Sequence, residues 1–216
     1  MKIITFLGQL KPFRFYVITL ILVLTFVLFV SEILENETYK FDLGINVFIS
    51  GLRTLFWTDV MKLVSDFGMI GGVFIVGSVG TNLYFHQRFG TLIHLVSSFL
   101  SASLFTYCLK LLIARNRPVI ENRLVVESGF SFPSGHTSIA FSAFLILAIL
   151  VHYNPKIQYF PKAILLFSCI LFPFLVAFSR LYLGVHYFTD VVAGAIVGSG
   201  TACIFLYSNS KLDNKY

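Results

Sequence analysis

An all-α, polytopic membrane protein with six transmembrane helices in one bundle is the fold class this sequence predicts. Three observations predict it. Hydrophobic residues make up 57% of the 216 and charged residues only 12%; with a mean hydropathy of +0.85, the chain is far more apolar than a soluble domain. The apolar residues are grouped in blocks long enough to cross a bilayer, which takes about 20 residues of helix. Those blocks lack the polar stripe of a soluble helix, and in lipid only helices or closed barrels satisfy their own backbone groups.

The six spans cover residues 15–31, 69–85, 91–113, 135–153, 163–183 and 186–207. The first reads as a retained helix and not a cleaved leader, because Ser31-Glu32-Ile33-Leu34 offers no small-x-small cleavage site. In the segment 33–56 that follows, Phe41, Ile45, Phe48, Ile49 and Leu52 recur at helical spacing among polar residues. That pattern predicts a helix lying in the membrane interface, with Trp57 at headgroup depth. Gly194 and Gly198 form a G-x-x-x-G in the last span, which close helix packing explains without any chemistry. With no repeat, low-complexity tract or soluble segment, residues 1–216 form a single membrane-embedded domain.

The net charge of +6 does not point to nucleic acid. The sixteen Lys and Arg residues lie mostly between apolar blocks and form no basic stripe. Cys108, Cys169 and Cys203 each fall inside an apolar segment, with neither metal-site spacing nor a disulfide framework, and read as small buried residues.

Ionisable groups at membrane helix ends are costly enough to be functional suspects. They form three groups: Lys110 with Arg117-Pro118, then Pro133-Ser134-Gly135-His136, then Ser179-Arg180 with His186 and Asp190. Alternating crossings put the end of the third span, the start of the fourth, the end of the fifth and the start of the sixth on one membrane face. His94 and His152 stand sixteen residues from Lys110 and His136 respectively, roughly 24 Å away along a helix. With His86 they belong to the opposite face and read as interfacial side chains.

Each group has a physical reason for its spacing. If the third helix continues to Asn116, Lys110 and Arg117 are two turns apart and point at one anion. On that wheel Arg115 faces away and reads as a loop or headgroup charge. Pro118 then ends the helix. Ser134 reads as an N-cap, and Gly135 would let an anion approach the free N–H groups of a helix start. A ligand-free cap is the bland alternative. Gly184 is placed to end the fifth helix in a left-handed cap, bringing Arg180 and His186 into one pocket. Asp190, one turn beyond His186, can fix its tautomer and leave the other ring nitrogen free to attack. A purely structural His–Asp pair is the alternative there, and three nearby cations with a second histidine weigh against it.

Residues Lys110 to Pro118, Pro133 to His136 and Ser179 to Asp190 resemble, at every fixed position and in order, the three-part signature of the type 2 phosphatidic acid phosphatase family. Vanadium-dependent haloperoxidases share that family's fold. The resemblance implies a lipid phosphatase. Lys110, Arg117, Arg180, Ser134 and Gly135 would hold the phosphate, and His186 would attack phosphorus to give a phosphohistidine. Asp190 would orient His186, while His136 would protonate the leaving alcohol and then activate water. Three cations supply the charge neutralisation, so no metal and no other cofactor is expected.

The short loops suit a substrate arriving sideways through the bilayer: a lipid phosphate or isoprenoid pyrophosphate, as in bacterial family members acting on phosphatidylglycerophosphate or undecaprenyl pyrophosphate. The expected partners are that substrate and membrane lipids, with no nucleic acid and no obligate protein partner. A phosphotransferase passing phosphate to a lipid or sugar acceptor is the alternative enzyme. A non-enzymatic lipid carrier would need the cations but not the nucleophile.

The cations also predict orientation in the cell membrane. Lys2, Lys11, Arg14, Arg88, Lys156, Lys162, Lys211 and Lys215 lie on the face away from the site. Setting aside the three phosphate ligands leaves Lys40, Arg53, Lys62, Arg115 and Arg123 on the site face. This bias places both termini in the cytoplasm and the site outside.

Overall fold

The computed structural model describes residues 24, 26–35, 37–86, 89–153 and 158–212. Helix α1 covers 26–34. It is followed by α2 (Tyr39–Ser50), α3 (Leu55–Phe85), α4 (Phe89–Ile113), a short 3-10 turn (Ile120–Asn122), α5 (Gly135–Tyr153), α6 (Tyr159–Tyr182) and α7 (Phe188–Leu212). Among the described residues, four stretches are long and apolar enough to span a bilayer: Leu55–Phe85, Leu95–Ile113, Gly135–His152 and Tyr159–Tyr182. A shorter apolar stretch, Phe188–Cys203, lies in α7. The protein is an all-α, multi-pass membrane fold. Of the first predicted span, residues 26–31 are helical, and most of the remainder lies outside the described residues.

Helix α5 is the hub, packed against α3, α4, α6 and α7. It runs parallel to α7, because Gly194 lies against the Ser134 carbonyl and Gly198 against that of Ser138. A Cβ on either glycine would stand 2.5 or 2.3 Å from those oxygens, so only glycine lets the backbones touch. Both helices therefore start at the same end of the bundle. On α3, Gly68 meets Val176 of α6 and Gly72 meets Ile139 of α5. Ile33 of α1 packs with Ile113, Phe132 and Ala193 at the end where α4 stops and α5 starts.

Gly184 does end the fifth predicted span in a left-handed conformation, at φ +72. A Cβ there would lie 2.3 Å from the Asn122 carbonyl oxygen. Arg53 closes this corner, donating to Tyr182 O and Asn122 O at 2.9 Å each.

Three expectations need correction. Helix α3 begins at Leu55, fourteen residues before the predicted span at 69. Hydropathy marks membrane depth, not helix, and Asp59 and Lys62 simply face outward in the first turns while Ser65 and Gly68 are buried. Helix α4 stops at Ile113 and does not continue to Asn116, because Ala114 turns left-handed at φ 47. Of the cysteines only Cys169 is buried; Cys108 and Cys203 are on the outer surface.

Candidate active site

The eight predicted site residues lie at one end of the bundle. Lys110 is in the last turn of α4, Gly135 and His136 open α5, Arg180 is in the last turn of α6, and Asp190 is in the first turn of α7. His186 sits in the reversal between α6 and α7, and Arg117 reaches in from the loop after α4. The Ser134 N–H donates to the Asp190 carbonyl at 2.9 Å, tying the second sequence group to the third.

Asp190 and His186 form the centre of the site, and both are almost wholly removed from solvent. One Asp190 oxygen accepts the Tyr187 N–H at 2.8 Å, the reach-back of a capping box, and the Ser131 hydroxyl at 2.5 Å. The same oxygen lies 3.6 Å from Nδ1 of His186. The other Asp190 oxygen accepts from Arg115 at 2.7 Å. Nε2 of His186 faces away from this carboxylate, 3.2 Å from Nη1 of Arg117. Burial pushes the His186 imidazole down to about 3, with Asp190 pulling only partly the other way. The ring is therefore neutral at ordinary pH. A proton held on Nδ1 toward Asp190 leaves the Nε2 lone pair facing the cations.

Those cations are held by backbone carbonyls and one acid. Arg117 donates to Gly129 O, Ser128 O and Val185 O, each at 3.0 Å. Lys110 Nζ donates to Phe130 O at 2.7 Å and to Ser131 O at 3.3 Å. Arg180 is 2% exposed, and its Nη1 bonds the Ser65 hydroxyl at 2.5 Å. Its Nη2 is paired with Glu127, whose second oxygen is 3.7 Å from Arg117. The Arg180 Nε is buried with no hydrogen-bond partner among the described residues. Burial alone would raise the Glu127 carboxyl, but Arg180, His136 and Arg117 hold it below its usual range. An ionised acid thus sits between two guanidinium groups, the geometry an anionic ligand would use.

His136 is half-buried, and the charges acting on it are Arg180, Glu127, Arg117 and Lys110. Ser134 immediately precedes α5; its carbonyl accepts the Ser138 N–H at 3.0 Å and its hydroxyl accepts from Thr137 at 2.9 Å. A Cβ at Gly135 would meet only the Thr106 methyl, at 3.8 Å. Protein packing therefore does not explain the glycine, whereas close approach of an anion to the backbone would. His86 and His152 lie at helix ends remote from the site.

Arg115 is the clearest correction, since it points inward. Its guanidinium bridges Asp42 and Asp190, at 2.7 Å to each. A helix continuing past Ile113 would have turned Arg115 away from the site, but the left-handed Ala114 redirects the chain. Such a backbone costs an L-residue roughly 1–2 kcal/mol. Sequence reading also missed Asp42, Glu127, Ser131 and Thr189. One signal for Asp42 was available: seven residues before Ile49, it lies on the apolar face of its helix. Glu127 and Ser131 sit in an irregular loop, where no spacing rule applies. Among the described residues no three His, Cys, Asp or Glu side chains form a metal cradle.

A buried histidine backed by a carboxylate and faced by cations, on a multi-pass helical fold, suits a membrane phosphatase. The sequence model of the PAP2 superfamily matches residues 91–213. Phosphatidylglycerophosphatase B of Bacillus subtilis is 29% identical over 179 residues, covering 82% of this chain and 87% of that protein. A lipid A 4'-phosphatase of Bacteroides thetaiotaomicron is 37% identical over 84 residues, covering 39% of this chain and 33% of that protein. The crystal structure of a transmembrane PAP2-type phosphatidylglycerolphosphate phosphatase from Bacillus subtilis superposes with a TM-score of 0.75 at 27% identity, covering 91% of this chain and 95% of that one. The chain belongs to the PAP2 superfamily and is a PAP2-type membrane lipid phosphatase.

Proposed function

We propose that the protein hydrolyses a lipid phosphate monoester or isoprenoid pyrophosphate through a phosphohistidine on His186. The observation that carries this reading is the placement of the His186 ring, with Nδ1 toward Asp190 and Nε2 beside Arg117. The substrate phosphate takes the seat of the Glu127 carboxylate between Arg117 and Arg180, with Lys110, the Ser134 hydroxyl and the Gly135 N–H completing its ligands. The unpartnered Arg180 Nε supplies a further donor. Nε2 of His186 attacks phosphorus in line as the bond to the leaving group breaks, the lipid alcohol of a monoester or the lipid monophosphate of a pyrophosphate, and His136 gives that group its proton. Developing charge on the equatorial oxygens is stabilised by the fixed cations. In the second step His136 takes a proton from water as the water attacks phosphorus, and phosphate leaves with His186 restored. The relation to Bacillus subtilis phosphatidylglycerophosphatase B favours phosphatidylglycerophosphate as the first substrate to try.

Detergent-purified protein should release free phosphate from a panel of phosphatidylglycerophosphate, phosphatidic acid and undecaprenyl pyrophosphate with no acceptor added. EDTA should leave the rate intact and vanadate should inhibit, because vanadate takes up the five-coordinate geometry of a phosphoryl group under attack. Phosphate release that needs an acceptor would instead make the protein a phosphotransferase. A loss in EDTA restored only by a divalent cation would contradict three cations as the sole charge neutralisation.

The same reading has residues 1–216 forming one domain, with six spans in one bundle, cytoplasmic termini and the site outside. The cation bias between the two faces supports that orientation. A cysteine placed at Glu121 should react with a membrane-impermeant thiol reagent in intact cells, whereas one at Asn214 should react only after lysis. The reverse pattern would put the site in the cytoplasm.

A further inference from the structure

Asp42 is a fully buried carboxylate on α2, a helix outside all three sequence groups. A buried charge is costly unless it is paired and hydrogen-bonded, and every partner of Asp42 leads to the site. One oxygen accepts the Thr189 N–H at 3.0 Å. The other accepts the Thr189 hydroxyl at 2.6 Å and Arg115 Nη2 at 2.7 Å. Arg115 Nη1 then donates to Asp190 and to the Thr189 hydroxyl, at 2.7 Å each. The guanidinium lies over the Tyr187 ring, 4.4 Å from its centroid, which fixes its plane. A planar fork between two carboxylates sets their spacing as a lysine could not. None of these bonds goes to Lys110, Arg117, Arg180 or His136.

We propose that Asp42 is a positioning residue for the phosphoryl-transfer step, acting through Arg115 and Thr189 on Asp190 and so on His186. Two effects follow from the geometry. Asp42 anchors the fork, so that Arg115 meets one Asp190 oxygen while the other is left for His186 and Ser131. Asp42 also shares the Arg115 charge, and Asp190 therefore keeps the negative charge that stabilises a cationic phosphohistidine. The guanidinium is correspondingly held strongly protonated: burial works against it, and Asp190 with Asp42 more than reverses that. Through this chain α2 becomes part of the catalytic apparatus and not only a surface helix.

The proposal rests on the reading of His186 and Asp190 given above, and the test separates the two. Full-length Asp42→Asn and Thr189→Val would be purified in detergent and assayed on a lipid phosphate in mixed micelles. The readouts are kcat, KM, competitive inhibition by inorganic phosphate, and Tm. Asp42→Asn should lower kcat about ten-fold or more while KM and the phosphate inhibition constant stay within two-fold, the mark of an interaction felt in the transition state alone. Thr189→Val, which removes the hydroxyl shared by Asp42 and Arg115, should lower kcat in the same direction. A merely structural anchor would lower Tm and leave kcat of the folded fraction unchanged. A folded Asp42→Asn with kcat within two-fold of the parent overturns the proposal. Should that variant not fold, an unchanged kcat in Thr189→Val overturns it instead. Activity surviving in His186→Ala would mean that the reading of the site, and not merely this chain, is wrong.

Discussion

Replacing His186 by alanine will abolish phosphate release while leaving a folded, membrane-inserted protein. Among the described residues no other group of suitable chemistry stands where Nε2 does, beside Arg117 at 3.2 Å. Removing a covalent nucleophile costs on the order of 10⁴-fold or more, the residual rate coming from the positioning cations. The fold should tolerate the change because Asp190 keeps three donors, Ser131, the Tyr187 N–H and Arg115. The lost ring leaves a cavity and a modest fall in Tm, but no orphaned buried charge. The measurements are phosphate release from a lipid monoester, Tm in detergent, and acid-labile phosphoprotein from a labelled substrate. The phosphoprotein should vanish with the activity. Near-normal turnover in a well-folded His186→Ala would end the case for this residue as nucleophile.

Replacing His136 by alanine will slow hydrolysis of a lipid monoester by roughly 10²–10⁴-fold, the usual worth of general acid–base catalysis. The loss should shrink markedly with nitrophenyl phosphate. An alkoxide is a poor leaving group and needs its proton as the P–O bond breaks, whereas a nitrophenolate is already stabilised. His136 opens α5 at the end of the bundle that holds Lys110, Arg117 and Arg180. His186→Ala, by contrast, should harm both substrates alike, since neither can form the phosphoenzyme. Because His136 also activates water, dephosphorylation should become limiting with the activated ester. An initial burst of nitrophenol followed by a slow steady state would reveal it, and the burst amplitude is the quantity to compare. A burst lost in His136→Ala but kept in His186→Ala would show the two roles assigned the wrong way round.

Both predictions concern residues that spacing alone selected. Lys110, Arg117, Ser134, Gly135, His136, Arg180, His186 and Asp190 were legible because each lies at a helix end or in the loop just beyond one. Alternation of crossings is enough to bring such ends to one face. Gly184 and the Gly194–Gly198 pair were legible for a related reason. A left-handed cap and a close backbone approach both demand glycine, and the structure has φ +72 at the first and carbonyl contacts at the other two. Helix α2 was visible in its apolar spacing, although its one decisive residue, Asp42, was passed over.

Sequence by itself determined the class of the protein and most of its helices, and it singled out the candidate site residues, because hydropathy and helical periodicity are local properties. Only the tertiary structure decided how the charges are paired. Arg115 turns inward because one left-handed residue, Ala114, breaks the helix that a wheel must assume. Glu127 reaches Arg117 and Arg180 from an irregular loop whose path follows no period. Asp42 meets Arg115 and Thr189 across separations of 73 and 147 residues. Such pairs form because a charge removed from water must find its opposite or cost several kcal/mol. That requirement says a partner exists, but its identity depends on which surfaces meet, and in this protein the packing of α2 on α6 and α7 made the choice.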